Sequence, residues 1–141
     1  MLSRLSSGAA SRWATFPLRL VIGAVFLAHG GQKLFVFGFG GFAGYLSSIG
    51  IPAAGFWSVV VILLELLGGI ALLVGMLTRY AAAVLSAEML VAVLAVHARA
   101  GFFLPAGAEF ALVILAGSLT LLLAGAGPLS LDRRLGLEKG V

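Results

Sequence analysis

Residues 53–77 read AAGFWSVVVILLELLGGIALLVGML and contain a single charged residue, Glu65. A helix needs about 20 mostly apolar residues to cross the hydrocarbon core of a bilayer, so this stretch is long enough to do so. Comparable stretches predict three more spans, at about 17–36, 80–97 and 108–125. The composition agrees, because 62% of the 141 residues are hydrophobic and only 10% are charged. The sequence therefore predicts an all-α fold, an integral membrane four-helix bundle.

The distribution of Lys and Arg predicts how the four spans are oriented. If the N-terminus is inside, seven of the nine basic residues lie on the cytoplasmic side: Arg4, Arg12, Arg19, Arg79, Arg133, Arg134 and Lys139. Only Lys33 and Arg99 then fall outside, and basic residues accumulate on the cytoplasmic side of membrane proteins. We therefore expect both termini in the cytoplasm (N-in/C-in) and a multi-pass protein of the plasma (inner) membrane.

This topology divides the chain into three parts. Residues 1–16 are expected to form a basic cytoplasmic N-terminal segment, residues 17–125 the four-transmembrane-helix domain, and residues 126–141 a cytoplasmic tail. The glycine-rich stretch GFGGFAG, residues 38–44, lacks the G-x-G-x-x-G spacing of a dinucleotide-binding turn. We interpret it as a flexible loop at the outer membrane interface.

Composition also limits the chemistry that the chain can carry out by itself. The basic residues are spread along the chain and form no stripe that could follow a phosphate backbone, so nucleic acid is not an expected partner. The absence of cysteine excludes disulfides, thiolate metal sites and iron–sulfur clusters. No helix carries a Glu-x-x-His pair, so no metal site is expected. Electrons would have to come from a partner or from a cofactor that is not covalently bound, such as a quinone.

Six ionisable residues fall within or close to the predicted spans and form a candidate pocket: His29, Lys33, Glu65, Glu88, His97 and Glu109. A charged side chain at mid-bilayer costs about 2.5–3.5 kcal/mol on insertion scales, so such residues are functional candidates by default. At about 1.5 Å of rise per residue, the two central acids come out near the midplane and the others nearer the outer side. The sequence thus predicts a ligand-binding or proton-handling pocket that opens toward the outer face.

Helix packing offers an alternative role for the same residues. Each Glu shares a helix face with small residues that allow close packing, so the polar groups could simply hold helices together. His97 could cap its helix end at the water boundary. In either case two unpaired acids at the midplane would be costly, and we predict that Glu65 or Glu88 pairs with His29 or Lys33.

Several short motifs occur in an order and spacing that resemble the DoxX family. The similarity extends over about residues 17–135. Its elements, in chain order, are Arg19, His29-Gly30, Lys33, Glu65-Leu-Leu-Gly68-Gly69, Gly75, Thr78-Arg79, Gly101-Phe102-Phe103, Gly107, Glu109 and Gly125-Ala-Gly127-Pro-Leu-Ser130-Leu131-Asp132.

The resemblance implies a four-helix membrane fold and a role connected with redox chemistry. The family is named for a small subunit of an archaeal quinone-linked thiosulfate oxidoreductase, and bacterial members are described as membrane parts of oxidative-stress or thiol-redox complexes. It therefore implies an accessory membrane subunit of a quinone- or thiol-linked redox system rather than a self-sufficient oxidoreductase. The implied partners are the lipid bilayer and a soluble or membrane redox protein, and assembly into a homo-oligomer is left open.

Two functions of other classes remain open at this point. The chain could be a small transporter or proton-conducting protein in which Glu65, Glu88 and His29 relay protons. It could instead be a structural membrane anchor that docks a soluble partner through its loops. Quinone binding would distinguish the accessory redox subunit from the transporter and from the structural anchor, because neither of these requires a quinone site.

Overall fold

A computed structural model describes the backbone of residues 8–138 and the side chains of residues 13–138. This part of the chain is helical almost throughout. Its α-helices are α1 (Gly8–Gln32), α2 (Gly38–Ser48), α3 (Ala54–Val74), α4 (Thr78–Ala92), α5 (Glu109–Ala124) and α6 (Leu131–Arg134). A π-helical turn, Lys33–Phe37, joins α1 to α2, and a second, Val93–His97, extends α4 into a short 3₁₀ turn, Ala98–Ala100.

The four long helices form a ring. Helix α1 packs mainly against α3 and α4 against α5, and contacts of α3 with α4 and of α1 with α5 close the ring. A tight turn after Val74 connects α3 to α4, and we call this end of the bundle the turn end. The opposite end, which carries α2 and the segment 98–108, is the loop end. Both α1 and the segment after α5 meet at the turn end, so the described parts of the two terminal regions lie on one side.

Glycines allow α1 and α3 to approach closely. A Cβ atom added at Gly69 would lie 2.7 Å from the backbone nitrogen of Leu27, and one added at Gly23 would lie 3.0 Å from the carbonyl oxygen of Gly69. Only hydrogen fits at these two positions without moving a helix backbone. Small residues serve in this way wherever membrane helices pack tightly.

The helices match the predicted membrane fold in most respects. By length and hydropathy, three segments could cross a bilayer: Trp13–Ser48, Ala54–Val74 and Thr78–Ala100. The fourth, Glu109–Ala124, has 16 residues and covers only about 24 Å at 1.5 Å per residue. Its apolar length is less than the hydrocarbon thickness of about 30 Å, a mismatch that local thinning of the bilayer or flanking residues can absorb. The all-helical membrane bundle is confirmed, with three long apolar helices and one shorter one.

The orientation of the bundle across the membrane stays a prediction. Of the basic residues used to predict it, the side chains of Arg4, Arg12 and Lys139 lie outside the described residues. The predicted boundaries at residues 16 and 125 are likewise expectations that the fold does not test. In the predicted orientation the turn end is cytoplasmic and the loop end faces outward.

The prediction of a flexible loop at residues 38–44 is wrong, because these residues open helix α2. Gly38 has φ +69°, a conformation that glycine adopts without strain, and it lets the chain turn from the π-helical segment into α2. Phe42 and Leu46 are then buried against Ile62 of α3. The apolar contact with α3 stabilises a helix that the glycine content alone would disfavour.

A tightly packed apolar layer separates the loop end from the turn end. It contains Ile22, Phe26, Leu72, Ala82, Leu85, Ile114 and Leu121, contributed by all four long helices. Leu72 and Leu121 have no exposed surface, and Phe26 and Leu85 are 1% exposed. The centre of the bundle is therefore a side-chain core rather than an aqueous path.

The residues after α5 fold back onto the turn end. The carboxylate of Asp132 accepts hydrogen bonds from the backbone nitrogens of Leu77 (2.6 Å) and Thr78 (2.8 Å), which lie at the start of α4. The fully buried Arg19 donates to the carbonyl oxygen of Leu129 at 3.1 Å. These contacts tie the C-terminal segment to α1 and to the α3–α4 turn. Arg19 therefore has a structural role as well as the topological one predicted from its charge.

Arg79 makes a second link at the turn end. Its Nη1 donates to the carbonyl oxygens of Leu122 and Leu123, each at 2.9 Å, at the end of α5. Its Nε donates to Glu138 at 3.1 Å. The carbonyls at a helix C-terminus lack intrahelical partners and carry partial negative charge, so an arginine is well suited to this position.

Candidate ligand pocket in the bundle

A cavity of about 890 Å³ lies between the loop-end halves of the helices. Its wall is formed by α1, α2, α3, α4, α5 and the segment after α4, and it is predominantly apolar. Most of the wall consists of aliphatic and aromatic side chains, among them Phe26, Phe42, Tyr45, Trp57, Met89, Phe110 and Ile114. Five of the six predicted pocket residues also line it: His29, Lys33, Glu65, Glu88 and His97.

Lys33 and Glu65 form an ion pair on the cavity wall. The Lys33 ammonium nitrogen is 2.6 Å from one carboxylate oxygen of Glu65 and 2.8 Å from the other. The two side chains are 18% and 6% exposed, and the ammonium also lies 5.5 Å from the ring centre of Phe42. The pairing of a midplane acid with Lys33, predicted from the sequence, is confirmed. Lys33 reaches inward along its flexible stem instead of extending toward the membrane surface.

Gly30 makes this pairing possible. A Cβ atom added there would lie 3.0 Å from the Cβ of Glu65, so α1 and α3 touch at the level of the acid. Lys33 lies three residues further on, at the start of the π-helical turn that continues α1, and therefore projects from the same side of the chain. The sequence could not choose between the two acids, because the choice depends on which helix α1 packs against.

Glu88 occupies the same wall without a cation of its own. Its carboxyl group lies close enough to Glu65 for the two groups to interact directly. One of its oxygens, Oε2, is buried and has no hydrogen-bond partner among the described residues. A buried carboxyl oxygen without a partner is costly, and a ligand that supplies a hydrogen-bond partner would remove that cost. Glu88 is thus a polar group of the cavity wall whose hydrogen-bonding capacity the described residues do not fully use.

His29 lies on the α1–α5 side of the cavity. Its imidazole stacks on the ring of Phe110, with the ring centres 6.1 Å apart and the planes 29° from parallel. The two rings bridge α1 and α5 at the level of the cavity, and closer to the turn end Ile22 of α1 packs against Gly117 of α5. A His ring at this position can donate or accept a hydrogen bond at the cavity wall.

His97 and Glu109 organise the segment that covers the cavity at the loop end. A ring nitrogen of His97, Nδ1, lies 3.1 Å from the carbonyl oxygen of Ala106, and Glu109 accepts a hydrogen bond from the backbone nitrogen of Leu104 at 2.7 Å. The segment between them contributes Leu104, Pro105 and Gly107 to the cavity wall. Glu109 itself is not among the lining residues, so any effect it has on a ligand would pass through this segment.

The structure adds two features to the predicted pocket. Tyr45 and Trp57, aromatic residues of the kind expected at an outer membrane interface, line the cavity. Two π-helical turns adjoin it, one beginning at Lys33 and the other ending at His97. Such turns are rare and frequently occur at functional sites. In the part of the chain that the structure describes, no three His, Asp or Glu side chains are grouped so that they could hold a metal ion.

Comparison with known proteins supports one family. The DoxX family model matches residues 14–98, more than half of the chain. The chain belongs to the DoxX family. It is 32% identical over 118 residues to "Putative oxidoreductase CatD" of Bacillus subtilis (strain 168), with 84% of each chain covered. It is also 37% identical over 129 residues to "Uncharacterized membrane protein Rv3486" of Mycobacterium tuberculosis (strain ATCC 25618 / H37Rv), covering 84% of this chain and 78% of that protein. No solved structure is significantly similar to it.

The fold separates the motif residues of this DoxX protein into two groups. One group, which includes Gly30, Lys33 and Glu65, surrounds the cavity. The other, which includes Arg19 and Asp132, holds the C-terminal segment at the turn end. The second group accounts for the closing Gly-Pro-x-Ser-Leu-Asp motif by fold alone, so functional interpretation rests on the first.

Proposed function

We propose that this DoxX protein binds a quinone in the cavity and serves as an accessory membrane subunit of a quinone- or thiol-linked redox system. The observation that carries the proposal is the combination of an apolar cavity of about 890 Å³ with a buried, unpartnered oxygen of Glu88 on its wall. Ligand sites are typically cavities of about 300–1,000 Å³, mostly apolar, with a few polar groups that orient the ligand. A quinone ring with polar oxygens at its edges matches such a site.

The polar groups supply the hydrogen bonds that a quinone needs. The carbonyl oxygens of a quinone accept hydrogen bonds, which Lys33, His29 or a protonated Glu88 can donate. The hydroxyls of the reduced quinol instead donate hydrogen bonds, which the Glu88 and Glu65 oxygens can accept. Aromatic side chains such as Phe42 and Trp57 can pack against the ring. The wall is thus able to hold both redox states of one ligand.

The electrons would come from a partner protein. Reduction of a quinone to a quinol takes up two electrons and two protons, and this chain has no cysteine that could supply electrons as a thiol or hold an iron–sulfur cluster. An accessory, quinone-holding role fits this limit better than a self-sufficient oxidoreductase. The name of the Bacillus subtilis relative, "Putative oxidoreductase CatD", supports a connection with redox chemistry.

The apolar layer between the cavity and the turn end argues against the alternative function, proton conduction across the membrane. A relay through Glu65 and Glu88 would have to continue to the turn end, where Asp132 and Arg19 lie. Between the two regions stand fully buried side chains such as Leu72 and Leu121. Proton transfer requires a chain of polar groups or water. The layer itself is built of apolar side chains, and the buried hydroxyls beside it are those of Ser86 and Ser118.

Equilibrium binding of a quinone analogue to the purified protein in lipid nanodiscs tests the proposal. We expect saturable binding, and we expect Glu88→Gln, Glu65→Gln and His29→Ala each to weaken it about tenfold, which corresponds to about 1.4 kcal/mol. Glu138→Gln provides the matched control, because that carboxylate lies at the turn end beside Arg79. Its affinity for the analogue should equal that of the unaltered protein. Absence of binding, or equal affinity in all four variants, would refute the proposed site.

A further inference from the structure

The outer surface of the bundle shows where a ligand can enter the cavity. Six lining residues border a gap between the loop-end halves of α3 and α4: Trp57, Val60 and Leu64 on α3, and Val84, Ala87 and Val91 on α4. Several of them are also well exposed, with Trp57 and Val84 at 44% and Val91 at 59%. Residues that line a cavity and face outward at the same time mark an opening of that cavity. We call this gap the α3–α4 window.

Near the turn end, α3 and α4 are held closely together. A short turn joins the two helices there, and Gly68 lets Leu85 pack against the α3 backbone, with 2.9 Å between an added Cβ and Leu85 Cδ1. Beyond that level, among the described residues, no ring pair or ion pair joins the two helices. Only the carboxyl of Glu88 approaches that of Glu65, at the base of the window.

Two other sides of the cavity are crossed by contacts between side chains or between side chain and backbone. The stacked rings of His29 and Phe110 bridge the gap between α1 and α5. The segment that contributes Leu104 and Pro105 covers the loop end, and the hydrogen bond from Leu104 to Glu109 holds it in place. In a membrane, the part of the window bordered by Val60, Leu64, Val84 and Ala87 faces lipid tails, because these residues lie within apolar helices, while Trp57 lies near the start of α3.

We propose that the cavity receives its ligand sideways from the bilayer, through the α3–α4 window, and that the ligand is a membrane-resident amphiphile with one long apolar chain. Its polar head would meet Glu88, which lies directly behind Ala87 and Val91 on α4. Its chain would remain in the window and continue into the surrounding lipid. This inference rests on the proposed quinone site and specifies the class of quinone, one with a long isoprenoid tail.

Cavity size and the lining of the opening are compatible with this assignment. A volume of about 890 Å³ has room for a quinone ring with part of a tail. Any part of the tail that remains outside requires an apolar opening. The window meets this requirement, because its border consists of Val, Leu, Ala and Trp side chains.

A bulky side chain at the window border tests the route. Ala87→Trp and, as a second variant, Val91→Trp should each weaken binding of a long-tailed quinone about tenfold, while a tailless quinone loses less than about threefold. Ala24→Trp is the matched control, because Ala24 is exposed on α1 and does not line the cavity. It should change neither affinity. Equal affinities for the long-tailed quinone in all the proteins would overturn the window.

A second measurement does not depend on quinones. Ala92 lines the cavity and the chain contains no cysteine, so a single Ala92→Cys variant reports access to the cavity. In liposomes, a lipid-soluble maleimide should label it faster than a membrane-impermeant one, and adding Ala87→Trp should slow this labelling about tenfold, unlike Ala24→Trp. If Ala87→Trp slows the labelling but the protein binds no quinone, the quinone function is refuted and the window is supported. Quinone binding with labelling and tail preference unaffected by Ala87→Trp would support the function and refute the window.

Discussion

Lys33 illustrates how much of the pocket depends on single residues. Its ammonium group neutralises Glu65, while Glu88 shares the same wall without a cation. The sequence predicted that a midplane acid would find His29 or Lys33, because an unpaired charge in hydrocarbon is costly. It could not predict which acid, since residue spacing gives depth along a helix but not the neighbour that the helix packs against. The contact of Gly30 with Glu65 decides this.

Removal of the cation should destabilise the protein. Lys33→Met leaves Glu65 buried without a partner, and we expect the free energy of unfolding in mixed micelles to fall by about 3 kcal/mol. Lys33→Met combined with Glu65→Met replaces the pair by apolar side chains and should recover most of that loss. Denaturation with increasing SDS measures both. A single variant as stable as the original protein would show that the pair contributes little.

At the scale of helices, the sequence predicted the long apolar elements well and α2 poorly. Long apolar runs have few alternatives in a membrane, because every backbone hydrogen bond must be made within the segment. Helix α2 is different, since its many glycines suggest a loop and only its contact with α3 favours a helix. That contact lies between segments distant in sequence, and no local pattern reveals it.

Glycine substitutions in α2 test whether it is a stable helix. Gly40 and Gly44 lie inside the helix, and a Cβ added at either has no neighbour within 4 Å. Gly40→Ala and Gly44→Ala should therefore each raise the free energy of unfolding by about 0.5–1 kcal/mol. Gly38→Ala should lower it, because φ at Gly38 is +69°. If residues 38–48 formed a flexible loop instead, the three substitutions would have similar, small effects.

At the scale of the molecule, charge predicts the orientation of the bundle, and the fold shows where to measure it. Ser47 is exposed at the loop end and Leu135 is exposed near α6 at the turn end. In intact cells, an impermeant thiol reagent should label a cysteine introduced at Ser47 and should not label one at Leu135. Both should react in permeabilised cells, which serves as the control. The reverse pattern would invert the predicted topology.

The candidate pocket could be anticipated only in part. Six ionisable residues stood out because charges are rare in the spans, and five of them line one cavity. The cavity itself was not predictable, since it depends on how five helices pack against one another, which residue spacing does not give. The proposed window is bordered by residues of the same cavity wall, so it too depends on that packing.

The quinone content of protein isolated from its own membranes tests the central claim most directly. The protein is purified in mild detergent without added ligand, and its bound lipids are extracted and identified by mass spectrometry. We predict about one long-tailed quinone per chain, as expected for a single site. Ala95→Phe, which fills part of the cavity wall, should remove most of it, whereas Ala24→Phe on the exposed side of α1 should not. Quinone absent from the unaltered protein, or equally abundant in both variants, would contradict the account.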